Sequence, residues 1–106
     1  MNIKEITTQI VNVLEEIQMI SGLECPKLTN KTIPVEELPE FDSKIWPVAT
    51  CIIANKLNIS IPYDVNIFCD EKNQTICVQK IAEKILYLYE AEQITHLTDK
   101  QVVNKS

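Results

Sequence analysis

The sequence predicts an all-α domain, and three observations lead to this fold class. Apolar residues recur every three or four positions over residues 3–20 and again over residues 76–89, which is the period of an amphipathic helix. A third run, residues 44–57, is apolar around most of a helix circumference. No segment alternates strictly between polar and apolar residues as a half-buried strand would. A chain of 106 residues with this pattern is expected to form one domain with a modest core.

The first predicted helix covers residues 3–20. Its core-facing stripe is expected to contain Ile3, Ile6, Ile10, Val11, Val13, Leu14, Ile17 and Ile20. Polar residues, Gln18 among them, take the remaining positions. Gly22, the only glycine, lies where a helix commonly ends in a left-handed residue.

Residues 23–42 show neither helical nor strand periodicity, and three prolines interrupt any helix there. The sequence predicts a long ordered loop, pinned to the core by scattered apolar residues: Leu23, Leu28, Ile33, Val35, Leu38 and Phe41. Loops of this length are uncommon in compact domains and often serve function. The loop ends in an acidic group, Glu36, Glu37, Glu40 and Asp42, which is either a solvated surface or a docking patch for a basic partner protein.

The second predicted helix covers residues 44–57. Pro47 is tolerated only in a first turn, so regular helix begins no earlier than about Lys44, with Ser43 at or near the N-cap. One face is expected to contain Val48, Cys51, Ile52 and Leu57, and Ala49, Ile53 and Ala54 extend it around the helix. We expect Cys51 and Cys77 to be buried free thiols. Trp46 is either core or contact surface.

The rest of the chain completes the domain. Residues 63–68 are expected to form a helical turn or an extended piece, and residues 69–74 a polar turn. Thr75 is expected to cap a last helix, whose core-facing residues are Ile76, Val78, Ile81, Ala82, Ile85, Leu86 and Tyr89. The helical domain therefore covers residues 1–90, and residues 91–106 form a C-terminal tail that is a frayed helix or disordered.

Charge and composition narrow the classes of partner. The net charge is −5 and every cationic side chain is Lys, which disfavours nucleic acids and anionic membranes and favours basic partner proteins. No apolar run is long enough to span a membrane, and the N-terminus does not have the pattern of a signal peptide. We therefore expect a cytoplasmic monomer without membrane insertion. No cysteine pair has CxxC spacing, so no metal site is predicted.

Three short motifs, taken in order, resemble those of the acyl carrier proteins. Asp42-Ser43 precedes the second helix, Ile61-Pro62 follows it, and the Thr75-Ile76-Cys77-Val78 stretch opens the last helix. Ser43 and Pro62 are 19 residues apart, which is the family's usual spacing. The resemblance covers residues 6–88. It implies a four-helix acyl-carrier-like bundle with a long loop between helices I and II.

The same resemblance implies a function and a site. Ser43 would be the attachment point for 4′-phosphopantetheine, placed there by a phosphopantetheinyl transferase. Asp42 would lie near the Mg²⁺ and phosphates in that encounter. The arm would carry acyl groups as thioesters between acyl-loading and acyl-transfer enzymes with basic docking patches. The chain itself would not be an enzyme, because the chemistry belongs to the cofactor and the partners.

The departures from the family pattern indicate specialisation. Position 44 is Lys where the family usually has Leu, and residues 44–63 contain no acid, although the second helix of typical members is acidic. Because charge complementarity selects partners, these differences predict a carrier for a specialised lipid or secondary-metabolite pathway.

Two other interpretations stay open. The first is a carrier-like interaction module that is never modified, in which Ser43 is only a helix cap. The second is a hydrolase that uses Ser43 with His96, although the chain contains no Gly-x-Ser-x-Gly elbow.

Overall fold

The computed structural model of the protein describes the backbone of residues 1–62 and 64–105 and the side chains of residues 1–62 and 64–92. In this part of the chain the fold is all-α, as predicted. Its helices are α1 (Ile3–Ile20), α2 (Pro34–Glu37), α3 (Trp46–Leu57) and α4 (Val78–Lys105). The described residues contain no strand, only an isolated antiparallel bridge between Cys69 and Thr75. The core lies along α1, which packs against both α3 and α4.

Both ends of α1 are set by local hydrogen bonds. The Asn2 side chain caps the N-terminus, where its Oδ1 accepts the N–H of Glu5 at 2.9 Å. At the C-terminus Gly22 has a φ of +70°, and the N–H of Leu23 donates back to the carbonyl of Gln18 at 2.8 Å. Together these form a Schellman-type ending, so the predicted role of Gly22 is confirmed.

The predicted stripe of α1 is confirmed over most of its length. Its buried apolar residues are Ile6, Ile10, Val13, Leu14 and Ile17. Two assignments are wrong. Ile20 is 75 % exposed, because it lies in the last turn, just before the chain reverses at Gly22. Gln18 is buried, and its Nε2 donates to the carbonyls of Pro39 at 3.1 Å and Glu24 at 3.4 Å, which ties α1 to the following loop.

The loop of residues 23–42 is anchored as predicted, chiefly by the buried Leu38 and Phe41. It is not irregular throughout, because α2 interrupts it. Pro34 begins that short helix, where its missing N–H costs nothing, and the Glu37 carboxylate reaches back to accept the N–H of Ile33 at 2.6 Å. The expectation that Pro34 only breaks helices was therefore wrong.

Helix α3 begins at Trp46, which places Pro47 in its first turn as the sequence requires. Its buried residues are Ala49, Ile53 and Leu57. The predicted face was wrong in part: Leu57 is buried as predicted, but Val48 is 49 % exposed and Cys51 is exposed. A helix that is apolar on nearly all sides does not reveal which side its neighbours cover.

Between α3 and α4, residues 64–68 form non-helical turns instead of the predicted helical turn or extended piece. This segment buries Ile67 and Phe68 completely. The predicted polar turn follows. Asp70 organises it, because its Oδ1 accepts the N–H groups of Gln74 at 2.9 Å and Lys72 at 2.8 Å. The hydrogen bond from Gln74, aided by that from Lys72, lowers the pKa of the Asp70 carboxyl.

Helix α4 starts at Val78, so the prediction that Thr75 caps it was wrong. Carbonyl groups of the long loop take that role. The N–H of Val78 donates to Thr32 at 2.8 Å and that of Gln79 to Asn30 at 2.9 Å, while the Thr75 hydroxyl donates to Glu36.

Of the predicted core-facing residues, Ile76, Val78, Ile81, Ala82 and Ile85 are buried, whereas Leu86 and Tyr89 are half-buried. The backbone of α4 continues to Lys105. The division into a domain at residues 1–90 and a tail at residues 91–106 stays a prediction.

Candidate functional site

Ser43 is exposed, in a turn that leads directly into α3. The turn covers residues 42–45, and a hydrogen bond from the N–H of Ile45 to the carbonyl of Asp42, 3.0 Å long, stabilises it. Ile45 holds the cap position of α3. Ser43 therefore lies at the head of the helix, two residues before its cap, which agrees with its predicted place at or near the N-cap.

Asp42 performs the local capping instead. Its Oδ1 accepts the N–H of Lys44 at 3.0 Å, which is the geometry of an Asx turn. The sequence placed Ser43 at or near the cap, and Asp is as good a capping residue as Ser. Because Asp42 takes this role, turn capping does not account for the serine at position 43.

A groove of about 500 Å³ begins beside Ser43. Part of its lining comes from Ser43 and α3, and the rest from residues 59–66. Its apolar lining residues are Trp46, Pro47, Ala54, Ile59, Ile61 and Val65. Its polar ones, apart from Ser43, are Thr50, Cys51, Asn55, Ser60, Asp64 and Asn66. The groove thus offers a mixed surface next to an exposed hydroxyl, as an amphipathic ligand requires.

Aromatic packing connects the groove to the core. Trp46 lines the groove, and its ring centroid is 6.2 Å from that of the fully buried Phe68. Phe41 meets Phe68 edge-to-face at 5.2 Å, and its carbonyl accepts the indole N–H of Trp46 at 3.3 Å. Trp46, which the sequence left undecided between core and contact surface, therefore does both.

Hydrogen bonds from α4 fix the segment between α3 and α4 that completes the groove. Lys84 Nζ donates to the carbonyls of Asn66 at 2.7 Å and Cys69 at 2.8 Å. These charge-assisted hydrogen bonds fix the end of the groove at Asn66. Periodicity gave no sign of this bond, because Lys84 and Asn66 lie in different elements.

The acidic group at the end of the loop is partly engaged in internal hydrogen bonds. Glu36 and Glu37 are exposed, but each carboxylate accepts an internal hydrogen bond, from Thr75 and Ile33. Lys44 is exposed next to Ser43. The turn therefore presents a carboxylate, a hydroxyl and an ammonium group in succession.

The helix start offers fewer free N–H groups to an anion than a standard N-terminus. Asp42 occupies the N–H groups of Lys44 and Ile45, and Pro47 has none. A phosphate ester on Ser43 would rely more on the helix dipole and the Lys44 ammonium than on backbone donors.

Cys51 and Cys77 were predicted to be buried, but Cys51 is exposed in the groove and Cys77 is half-buried. All the cysteines are free thiols. Partial burial, aided by the Glu15 carboxylate, raises the pKa of Cys25. The His96 side chain, the hypothetical partner of Ser43 in a hydrolase, lies outside the described residues.

Comparison of the chain with protein-family models, curated proteins and solved structures found no match. In the described part of the chain, no three His, Cys, Asp or Glu side chains cluster as metal ligands do. Nor does a helix in that part reach the length and apolarity needed to cross a membrane. The function is therefore inferred from the geometry around Ser43 and from the sequence motifs.

Replacing Asp42 with alanine is expected to destabilise the protein by about 1 kcal/mol, because the N–H of Lys44 loses its acceptor. Urea unfolding followed by circular dichroism measures this free energy. Asp42→Asn retains the acceptor oxygen and is expected to keep most of the stability. Equal losses in the two variants would contradict the capping role.

Proposed function

We propose that the protein is an acyl carrier, with 4′-phosphopantetheine attached to Ser43. One observation carries the proposal: Ser43 is exposed in the turn that opens α3 and lines the adjacent groove. The motif order that resembles acyl carrier proteins supports it independently.

The residues around Ser43 fit such a group. A transferase must bring a coenzyme A pyrophosphate to the hydroxyl, so the serine has to protrude, and the turn places it there. Ser43 Oγ would bond to the pantetheine-side phosphorus. The pyrophosphate P–O bond would break to release adenosine 3′,5′-bisphosphate, and the hydroxyl proton would pass to a base of the transferase. Asp42 would stay near the phosphates in that encounter, and Lys44 would partly neutralise the phosphodiester.

When attached, the arm supplies a thiol that carries acyl groups as thioesters. This chain would supply the anchor, a groove for the arm and surfaces for partner enzymes. The exposed carboxylates of Glu40 and Asp42 would favour partners with basic docking patches.

Intact-mass measurement tests the proposal directly. The full chain is incubated with coenzyme A, Mg²⁺ and a broad-specificity phosphopantetheinyl transferase, and protein isolated from its own cells is measured alongside. We expect a gain of one phosphopantetheinyl group. No gain in either sample would favour the alternative, a carrier-like interaction module that is never modified.

We further propose that this carrier serves a specialised lipid or secondary-metabolite pathway. Within α3 the only charged side chain is Lys56, so the helix lacks the acidic surface that enzymes of general fatty-acid synthesis use to dock typical carriers. In a loading assay with such enzymes we expect rates at least about tenfold below those of a typical carrier, which corresponds to about 1.4 kcal/mol of lost recognition. Equal rates would contradict the specialisation.

A further inference from the structure

We propose that the groove beside Ser43 holds a short acyl group that ends in an amine. The inference rests on the proposed function, since it requires the arm on Ser43 as a tether. The groove's size, its polar lining and its charge each restrict the cargo.

The size of the groove favours a short acyl group. A groove of about 500 Å³ is in the lower half of the range for sites that hold one small ligand, roughly 300–1,000 Å³, and it must take part of the arm as well. The core beside it is closed, because Phe68, which packs against the groove residue Trp46, is 0 % exposed, as is Ile53. A chain that extends beyond the groove would have to displace such side chains from a packed interior, whereas a short acyl group needs no such rearrangement.

The polar lining also favours a polar cargo. Thr50, Asn55, Ser60 and Asn66 all line the groove, on both of its sides. Thr50 and Asn66 already bond internally, to the Trp46 carbonyl and the Phe68 N–H. An alkyl chain over Asn55 and Ser60 would remove their side chains from water without giving them hydrogen-bond partners, which is unfavourable. An amine-bearing group would instead donate hydrogen bonds to their side-chain oxygens.

Charge decides between an amine and a carboxylate. Among the described lining residues Asp64 alone is charged, and the whole chain carries a net charge of −5. A terminal ammonium would be attracted to Asp64 and a terminal carboxylate repelled. An exposed pair changes an equilibrium by only up to about fivefold. That is sufficient here, because a tethered group has an effective concentration of roughly millimolar or more.

NMR of the full chain tests the inference. The ¹⁵N-labelled protein is modified enzymatically with coenzyme A analogues that hold the cargo through a stable amide. β-Alanyl, butyryl and malonyl cargoes are compared at nearly the same size, and dodecanoyl provides the long chain. The readout is the displacement of the backbone amide signals of the lining residues Ile59, Ser60, Ile61, Asp64, Val65 and Asn66 relative to the form without cargo. Asn12 and Glu16 on α1 are references outside the groove.

We expect the β-alanyl form to displace the signals of Asp64 and Asn66 about two- to fivefold more than the butyryl form, and the malonyl form to displace them least. Asp64→Asn, a substitution of an exposed side chain, should remove most of the difference between β-alanyl and butyryl. The amides of Ile53 and Phe68 should stay in place with every cargo.

Three results would overturn the inference while leaving the carrier function intact: equal displacements by β-alanyl and butyryl, a larger displacement by malonyl, or movement of the Ile53 and Phe68 signals with dodecanoyl. Failure of the proposed function is distinguishable, since intact mass would then show no modification with any analogue, and the inference would fall with it.

Discussion

Replacing Ser43 with alanine is expected to abolish the mass gain completely. The variant lacks the only atom at this position that can form the phosphodiester, so the expected effect is all or none. The fold should be unaffected, because Ser43 is exposed and Asp42 caps the turn. Its free energy of unfolding should stay within about 0.5 kcal/mol of the wild-type value.

Ser60→Ala is the matched control, since Ser60 is also exposed and lines the same groove. This variant should be modified at the wild-type rate. A gain that survives Ser43→Ala would place the attachment elsewhere, and a gain lost in Ser60→Ala alone would move it to Ser60. Either outcome would disprove the assignment of Ser43.

Replacing Phe68 with alanine is expected to have the largest effect on stability, about 3–5 kcal/mol. Phe68 is 0 % exposed, and its ring contacts both Phe41 and Trp46. Its removal leaves a cavity where the long loop, α3 and the groove segment meet. A small domain has a total stability of about 5–15 kcal/mol, so the variant should be marginal or unfolded.

Urea unfolding followed by circular dichroism measures this loss without relying on Trp46, whose fluorescence would change with its neighbour. Tyr87→Ala provides the control, because Tyr87 is 71 % exposed, and it should change the free energy by no more than about 0.5 kcal/mol. A loss below about 1 kcal/mol in Phe68→Ala would mean that this aromatic contact is not central to the core.

Sequence patterns correctly predicted the features that depend on interactions between residues close in sequence. The period of α1 identified its buried residues from Ile6 to Ile17, and Gly22 marked its end, because helix periodicity and left-handed backbone depend on nearby residues alone. Pro47 limited the start of α3, because proline is tolerated only in the first turn of a helix. Ser43 was predicted to be exposed from its position just before that helix.

Other features depend on partners distant in sequence, and the patterns missed them. Periodicity places Gln18 on the polar side of α1, whereas its hydrogen bond to the carbonyl of Pro39, 21 positions away, lies in the interior. Helix α4 begins at Val78 because the carbonyl of Thr32 meets its N–H. The groove was missed because its lining comes from two separate segments.

Periodicity and local motifs predicted the all-α class and a serine with an adjacent carboxylate before the second long helix. The three-dimensional structure showed that Asp42 caps the turn. Packing between distant segments established that α3 buries Ala49 and Ile53 while exposing Cys51, and that a groove of mixed polarity lies beside a closed core. The physical reason is that periodicity fixes which residues share a helix face. Which face is covered, and which polar groups find partners there, depends on how the other segments pack against it.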